Sequence, residues 1–346
     1  ICLCMVIGMN WHPIYLSNTT WMWIVGLYIA IASVTPVWIL LQPRDYLSSF
    51  LLYAMLGIAA LGIIVAHPNM TDAAGVGLAM IGDGKNAAGI TQPIFPVLFT
   101  TIACGAISGF HSLVSSGTTS KQLDKETDAK PIAYGGMLLE CVLAVITLVA
   151  IAYARQTGHT AGATDIFAGG VAGMAAQIAG GNESVFKVLY TLLVLTYSAF
   201  CLTSLDTATR LARFMFQEFW LDGSKGETPE NVTGYKKVLS NPYVATIITV
   251  VLGILLGMGG GGGGGGLFGS ANQLLAALGL LAVATWLSNI GKDNKMFLLP
   301  MAFMLCVTIA SLFINTKTQL SVIAKGGADW GPYAQVVLGV LLIVLA

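Results

Sequence analysis

Residues 132–154 read Ile-Ala-Tyr-Gly-Gly-Met-Leu-Leu-Glu-Cys-Val-Leu-Ala-Val-Ile-Thr-Leu-Val-Ala-Ile-Ala-Tyr-Ala, with Glu140 as the single charged side chain. As an α-helix rising about 1.5 Å per residue, the stretch is about 35 Å long. That suffices to cross a hydrocarbon core of about 30 Å. Strand-like alternation is absent, and in lipid only helices and closed barrels satisfy their own backbone. Similar runs recur at about 20–42, 46–66, 94–116, 185–206, 243–258, 268–290 and 296–315. With 132–154 these make eight full-length candidates. Two further apolar runs, opening at Ile1 and closing at Ala346, read as truncated spans. The expectation is an all-α polytopic transmembrane helix bundle over residues 1–346, a single transporter-type domain and an internal portion of a longer protein.

Composition agrees. The 346 residues are 56% hydrophobic and 9% charged, with zero formal net charge and a mean hydropathy of +0.80. Soluble domains carry about 25% charged residues, so an ordinary cytosolic enzyme is excluded, as is a charge-rich disordered chain. Nothing is basic enough to hold nucleic acid. The six cysteines, Cys2, Cys4, Cys104, Cys141, Cys201 and Cys306, lie in apolar runs without zinc or redox spacing and read as buried free thiols. No cofactor or metal site is expected and no catalytic motif appears.

Lys and Arg are denser in the loops on the Arg44 side than on the other. The positive-inside rule therefore puts loops 43–45, 120–131, 207–241 and 291–295 in the cytoplasm. The Gly/Ala-rich stretch from Gly169 to Gly181 suggests a short interfacial or re-entrant helix. The run Gly259 to Gly266 reads either as a flexible loop or as glycine standing in for side chains of unassigned identity.

Polar groups inside apolar segments mark candidate sites, because ionisable groups within a bilayer are costly and usually functional. Glu140 lies about 12 Å into its helix and reads as a proton- or ion-coupling acid, or as a structural partner of a polar group on a neighbouring helix. The stretch 100–119 holds Gly105 and Gly109 in a Gly-x-x-x-Gly pair, which close helix packing explains. Packing does not explain Ser108, His111, Ser112, Ser115, Ser116, Thr118 and Thr119 beside them. These residues with Gly109 read as lining a solute or ion path at a broken helix; His111 alone fits a packing role nearly as well. Asp206 and Arg210, at i and i+4, and Arg44 with Asp45 read as a gate or as a cytoplasmic anchor. Asn272 and Gln273 either bind solute or tie helices together.

Five stretches resemble one family in its own order: Thr35–Phe50 (Thr-Pro-Val-Trp-Ile-Leu-Leu-Gln-Pro-Arg-Asp-Tyr-Leu-Ser-Ser-Phe), Phe95–Thr119, Tyr134–Glu140, Leu205–Gln217 and Leu267–Ala276. They are similar to the carbon starvation protein A (CstA) family. The resemblance implies a multi-pass secondary carrier of the bacterial inner membrane with a LeuT-like helix arrangement. It implies uptake of peptides or pyruvate with protons, in contact with membrane lipid. The family's N-terminal half, with its Gly-Ala-Gly-Pro stretch and part of the substrate site, has no counterpart here. Glycine also replaces the Trp-Pro approach to Leu267. The alternatives are a carrier of amino acids coupled to Na+ bound at Ser115–Thr119, and a non-transporting membrane subunit.

Overall fold

The computed structural model describes residues 7–8, 11, 15–68, 93–159, 162–222, 226–259, 264–324 and 330–346. Helices account for nearly all of them, and no strand occurs among the described residues. Two compact units emerge, one built from Ile1–Gly75 with Val145–Leu255 and the other from Val76–Ala144 with Leu256–Ala346.

The first unit opens with α1, Asn18–Val34, whose N-terminal Ser17 side chain accepts from the Thr20 N–H at 3.2 Å. It ends because Pro36 forces Thr35 into an extended conformation (ψ 140°). Helix α2, Val37–Ala66, then runs for 30 residues with Pro43 inside it. This corrects two expectations. The 20–42 span breaks at Thr35–Pro36, and 43–45 is no loop: Arg44 and Asp45 lie within a continuous helix. The break has a cost that the fold meets elsewhere. The Ala32 carbonyl would normally accept from residue 36, and proline has no N–H to give. Arg210 supplies the donor, its Nη2 reaching the Ala32 oxygen at 2.7 Å and the Thr35 oxygen at 2.8 Å. Arg210 is 4% exposed, so Arg210→Gln is expected to destabilise the protein by about 1.5–3 kcal/mol. A thermal melt unchanged from wild type would refute that role.

Helix α6, Ala163–Ala176, covers only the first part of the Gly169–Gly181 stretch expected to form a short helix and begins six residues before it. It packs against α2 and against α7, Glu183–Phe219. Ala168, Val171, Ala172 and Met174 are completely buried, and a Cβ on Gly170 would overlap the Ala150 carbonyl. Helix α7 has 37 residues, about 55 Å, and so extends the expected 185–206 span through 219. The first part of the supposed 207–241 loop is therefore helix. The segment beyond Phe219 is polar, with a short helix α8, Tyr235–Leu239. There Lys236 Nζ donates to Glu227 at 2.6 Å and the Asp222 N–H donates to the same oxygen at 3.0 Å. These hydrogen bonds hold the Glu227 carboxyl below its ordinary range. A depressed carboxylate contributes stability above its unfolded-state pKa and loses it as pH falls through the folded one. The protection factors of the amides at residues 226–234, taken relative to intrinsic exchange at each pH, are expected to fall in acid and to hold between neutral and mildly alkaline pH. Helix α9, Pro242–Gly259, closes the unit with its residues up to 255.

The second unit contains a broken segment with the short helices α3, Phe99–Ile102, and α4, Gly109–Gly117. It also holds the first part of α5, Ala129–Gln156, then α10, Gly264–Asn289, α11, Lys295–Ala324, and α12, Trp330–Leu345. Helix α10 packs on α4, α11 and α12.

Among the described residues six segments are long and apolar enough to cross a membrane, and Asn18–Val34, Pro242–Met258 and Trp330–Leu345 are shorter apolar helices. The expected spans at 20–42 and 243–258 fall on two of these shorter helices. Residues 259 and 264–266 of the glycine run are helical, while 260–263 lie outside the described residues, as do Cys2, Cys4 and most of the 67–93 loop. Among the described residues Cys104, Cys141, Cys201 and Cys306 are free thiols, the first two half-buried and the last two exposed rather than buried.

Candidate functional site

Unit two carries the broken helix. After the 3-10 turn Ala103–Gly105, Ser108 is extended (φ −122°, ψ 125°) before α4 resumes. Such a break frees backbone groups that lipid cannot satisfy. Here two side chains of α10 satisfy them. Asn272 Oδ1 accepts from the Phe110 N–H at 2.7 Å, and its Nδ2 donates to Ser108 Oγ at 3.1 Å and Cys104 Sγ at 3.3 Å. Gln273 Nε2 donates to the Ile107 carbonyl at 2.8 Å. Gly109 is obligatory at this approach, since a Cβ there would collide with the Asn272 carbonyl and the Ala276 nitrogen. Of the two readings for Asn272 and Gln273, tying helices together accounts for these contacts. Asn272→Leu would strand the Phe110 N–H, at about 1–3 kcal/mol, and a melt within error of wild type would contradict the assignment.

Next to the break, His111 Nδ1 on α4 lies 3.6 Å from Glu140 Oε2 on α5, with side chains 56% and 32% exposed. The two candidate ionisable groups of this unit thus form one pair. The serines of α4 do not converge on it. Ser112 Oγ donates to the Gly109 carbonyl at 2.6 Å, and Ser115 and Ser116 likewise bond back to their own helix. Thr118 is buried and Thr119 begins a 3-10 turn.

A neighbouring cluster joins Ser311 and Asn315, which sequence reasoning missed, to Thr100 and Ser270. Thr100, Ser270 and Ser311 are fully buried. Ser311 Oγ sits 3.2 Å from Thr100 Oγ1 and 2.8 Å from Ser270 Oγ, and Asn315 Nδ2 donates to Ser270 Oγ at 3.1 Å. Thr308, Ser311 and Asn315 stand at i, i+3 and i+7, a polar stripe on α11 that helical periodicity reveals.

Unit one gathers the other candidates. Arg44 Nη2 lies 3.0 Å from Asp206 Oδ2, and its Nη1 donates to the Tyr28 hydroxyl at 2.6 Å. Asp206 is fully buried while the Arg44 side chain is 19% exposed. Asp45 is farther, at 3.7 Å, and 40% exposed. Arg210 turns instead to the α1 carbonyls, so the expected Asp206–Arg210 pair is replaced by Asp206–Arg44. Tyr28 had no sequence signal. Nor did a second cluster in this unit: Asp165 Oδ1 accepts from Tyr190 at 3.0 Å and lies 3.1 Å from His159, whose ring stacks on Tyr190. An apolar cavity of about 360 Å³, walled by Trp21, Val25, Leu205 and Val250, lies between α1, α7 and α9.

Six bilayer-length apolar helices, with a broken one and charge pairs held inside them, define a multi-pass α-helical membrane protein. A family model described as "Carbon starvation protein CstA" matches residues 1–161 and 152–311. The chain belongs to the carbon starvation protein CstA family. It is 30% identical over 359 residues to the peptide transporter CstA of Bacillus subtilis, covering 92% of this chain and 58% of that one. It is 33% identical over 365 residues to the peptide transporter CstA of Helicobacter pylori strain 26695, covering 89% and 51%. A shorter stretch of 141 residues is 43% identical to the Escherichia coli pyruvate/proton symporter BtsT, covering 40% of this chain and 19% of that one. The chain thus spans about half the length of the curated peptide transporters it matches. No solved structure matches it.

Proposed function

We propose that this chain is part of a secondary uptake carrier for small carbon sources, peptides or pyruvate, driven by protons. The observation that carries the reading is the juxtaposition of the Ser108 break with the His111–Glu140 pair three residues along the same segment. A broken spanning helix offers backbone and side-chain polarity to a solute, and a paired intramembrane carboxylate is a natural site for a coupling proton. The names of the relatives support the substrate classes. In this reading Glu140 carries the coupling proton. Ser108, Gly109, His111 and the hydroxyls through Thr119 line the solute path, with Asn272 and Gln273 bracing it. Arg44, Asp45, Asp206 and Arg210 form a gate. The helices form one transporter domain with a LeuT-like arrangement in a bacterial inner membrane, with loops 120–131, 220–241 and 291–295 on the cytoplasmic side.

The test is uptake of labelled pyruvate and a labelled dipeptide into proteoliposomes containing the full-length protein, under an inward proton gradient and then a sodium gradient. Proton-driven accumulation of either solute is expected. Accumulation under sodium alone would replace the coupling ion. No accumulation under either gradient, from folded protein, would sink the substrate assignment.

A further inference from the structure

We propose that Arg44 and Asp206 form a carboxylate-exchange site in the first unit. The carboxylate of the incoming solute takes Arg44 from Asp206, and Asp206 takes up one proton in return. This rests on the uptake reading above and adds to it a ligand-binding residue and a second protonation site besides Glu140.

The argument starts from the pair's incomplete geometry. A guanidinium and a carboxylate at full strength meet through two parallel hydrogen bonds. Here a single contact joins them, Nη2 to Oδ2 at 3.0 Å. The Arg44 Nε–H and Asp206 Oδ1 are both buried without a partner. Each member therefore keeps an unused hydrogen-bonding valence inside a bilayer-length helix. Arg44 Nη1 is fixed by the Tyr28 hydroxyl, so the guanidinium is oriented before any ligand arrives. Its Nε–H and Nη2–H remain as the edge that a carboxylate can grip with both oxygens.

Access is asymmetric in the right sense. Arg44 keeps 19% of its side-chain surface open, while Asp206 has none. An anion can approach the open part of Arg44, and its grip on the buried Nε–H needs the guanidinium to turn; Asp206 offers no open surface. The ionisable groups around Asp206 are Arg44 and Asp45 from α2, Tyr28 from α1, and Arg210 and Arg213 along α7; α9 carries no charged residue. Arg210 commits Nη2 to the Ala32 and Thr35 carbonyls, where the Pro36 break holds it. Arg213 lies over the Phe214 ring at 4.6 Å.

The exchange balances. One carboxylate leaves Arg44 and another replaces it, so the charge on Arg44 stays compensated. Asp206, left buried without its cation, adds a proton from water to one carboxylate oxygen. One negative charge and one proton enter together, and release reverses both steps. Peptides and pyruvate share little besides a carboxylate, which explains how one site serves either class.

The experiment uses the full-length protein in detergent and weak buffer, with calorimetry and a pH-indicator dye. The probes are pyruvate and Ala-Ala, with methyl pyruvate and Ala-Ala amide as counterparts lacking the carboxylate. The wild type is expected to bind a carboxylate probe with linked proton uptake, about one proton per ligand of it at Asp206, and its masked counterpart at least about tenfold more weakly. Asp206→Asn should bind at least as well as wild type with the linked proton uptake lower by about one per ligand. Arg44→Gln should lose affinity at least about tenfold. Should Arg44→Gln fail to fold, the Arg44→Gln/Asp206→Asn double variant, which leaves no stranded charge, takes its place. Equal binding by the masked probes, undiminished binding without Arg44, or unchanged proton uptake in Asp206→Asn would each overturn the exchange site while leaving the uptake reading standing. Binding of neither pyruvate nor Ala-Ala by the wild type would overturn both.

Discussion

Arg44→Met is expected to destabilise the protein by about 3–5 kcal/mol, because it leaves a buried carboxylate without its cation. Asp206 is fully buried, and Arg44 is the cation it contacts, at 3.0 Å. Asp206→Leu should cost less: the Arg44 it strands keeps 19% exposure and its bond to Tyr28. The double variant Arg44→Met/Asp206→Leu should recover most of the loss, since replacing a buried ion pair by apolar residues of similar volume is often neutral. The cycle is read from unfolding curves in detergent. A double variant as unstable as Arg44→Met would mean that the two side chains act through packing and not through their charges.

Glu140→Gln is expected to abolish proton-driven uptake, by about 100-fold or more, while leaving solute exchange without a gradient. Glutamine has nearly the same shape and can still meet His111 across the 3.6 Å gap. It cannot bind and release a proton, so only the coupling step fails. Exchange measured by counterflow separates the two. Loss of counterflow together with uptake would recast Glu140 as a structural partner of His111, and full retention of uptake would remove it from coupling altogether.

The pairing of these two residues is half legible in the sequence. Both stand out as ionisable groups in apolar stretches. That they meet depends on how α4 and the first part of α5 pack, which Gly105 permits: a Cβ there would collide with the Ala144 side chain. The reverse holds at Arg44. Pro43, Arg44 and Asp45 in a row read as the end of one span and the start of another, because a charge in an isolated apolar helix faces lipid. The helix continues through them because a counter-charge waits 162 positions away. With the charge met, the proline costs only one hydrogen bond and the helix tolerates it.

Local sequence is enough to establish an all-α, multi-pass membrane chain with polar groups embedded in its apolar segments. Hydropathy and segment length are local properties of the chain, and lipid leaves the backbone no alternative. The stretch around Ser108 and the short helix near 170 are legible in the same way. The break at Pro36 is not, because the apolar run continues through it on both sides. Packing between distant helices settles what closes each break. Arg210 crosses from α7 to the carbonyls that Pro36 leaves open, and Asn272 with Gln273 cross from α10 to the groups freed at Ser108. A buried donor or acceptor must find a partner wherever packing brings one, and that choice among distant residues is made by contacts which no local pattern records.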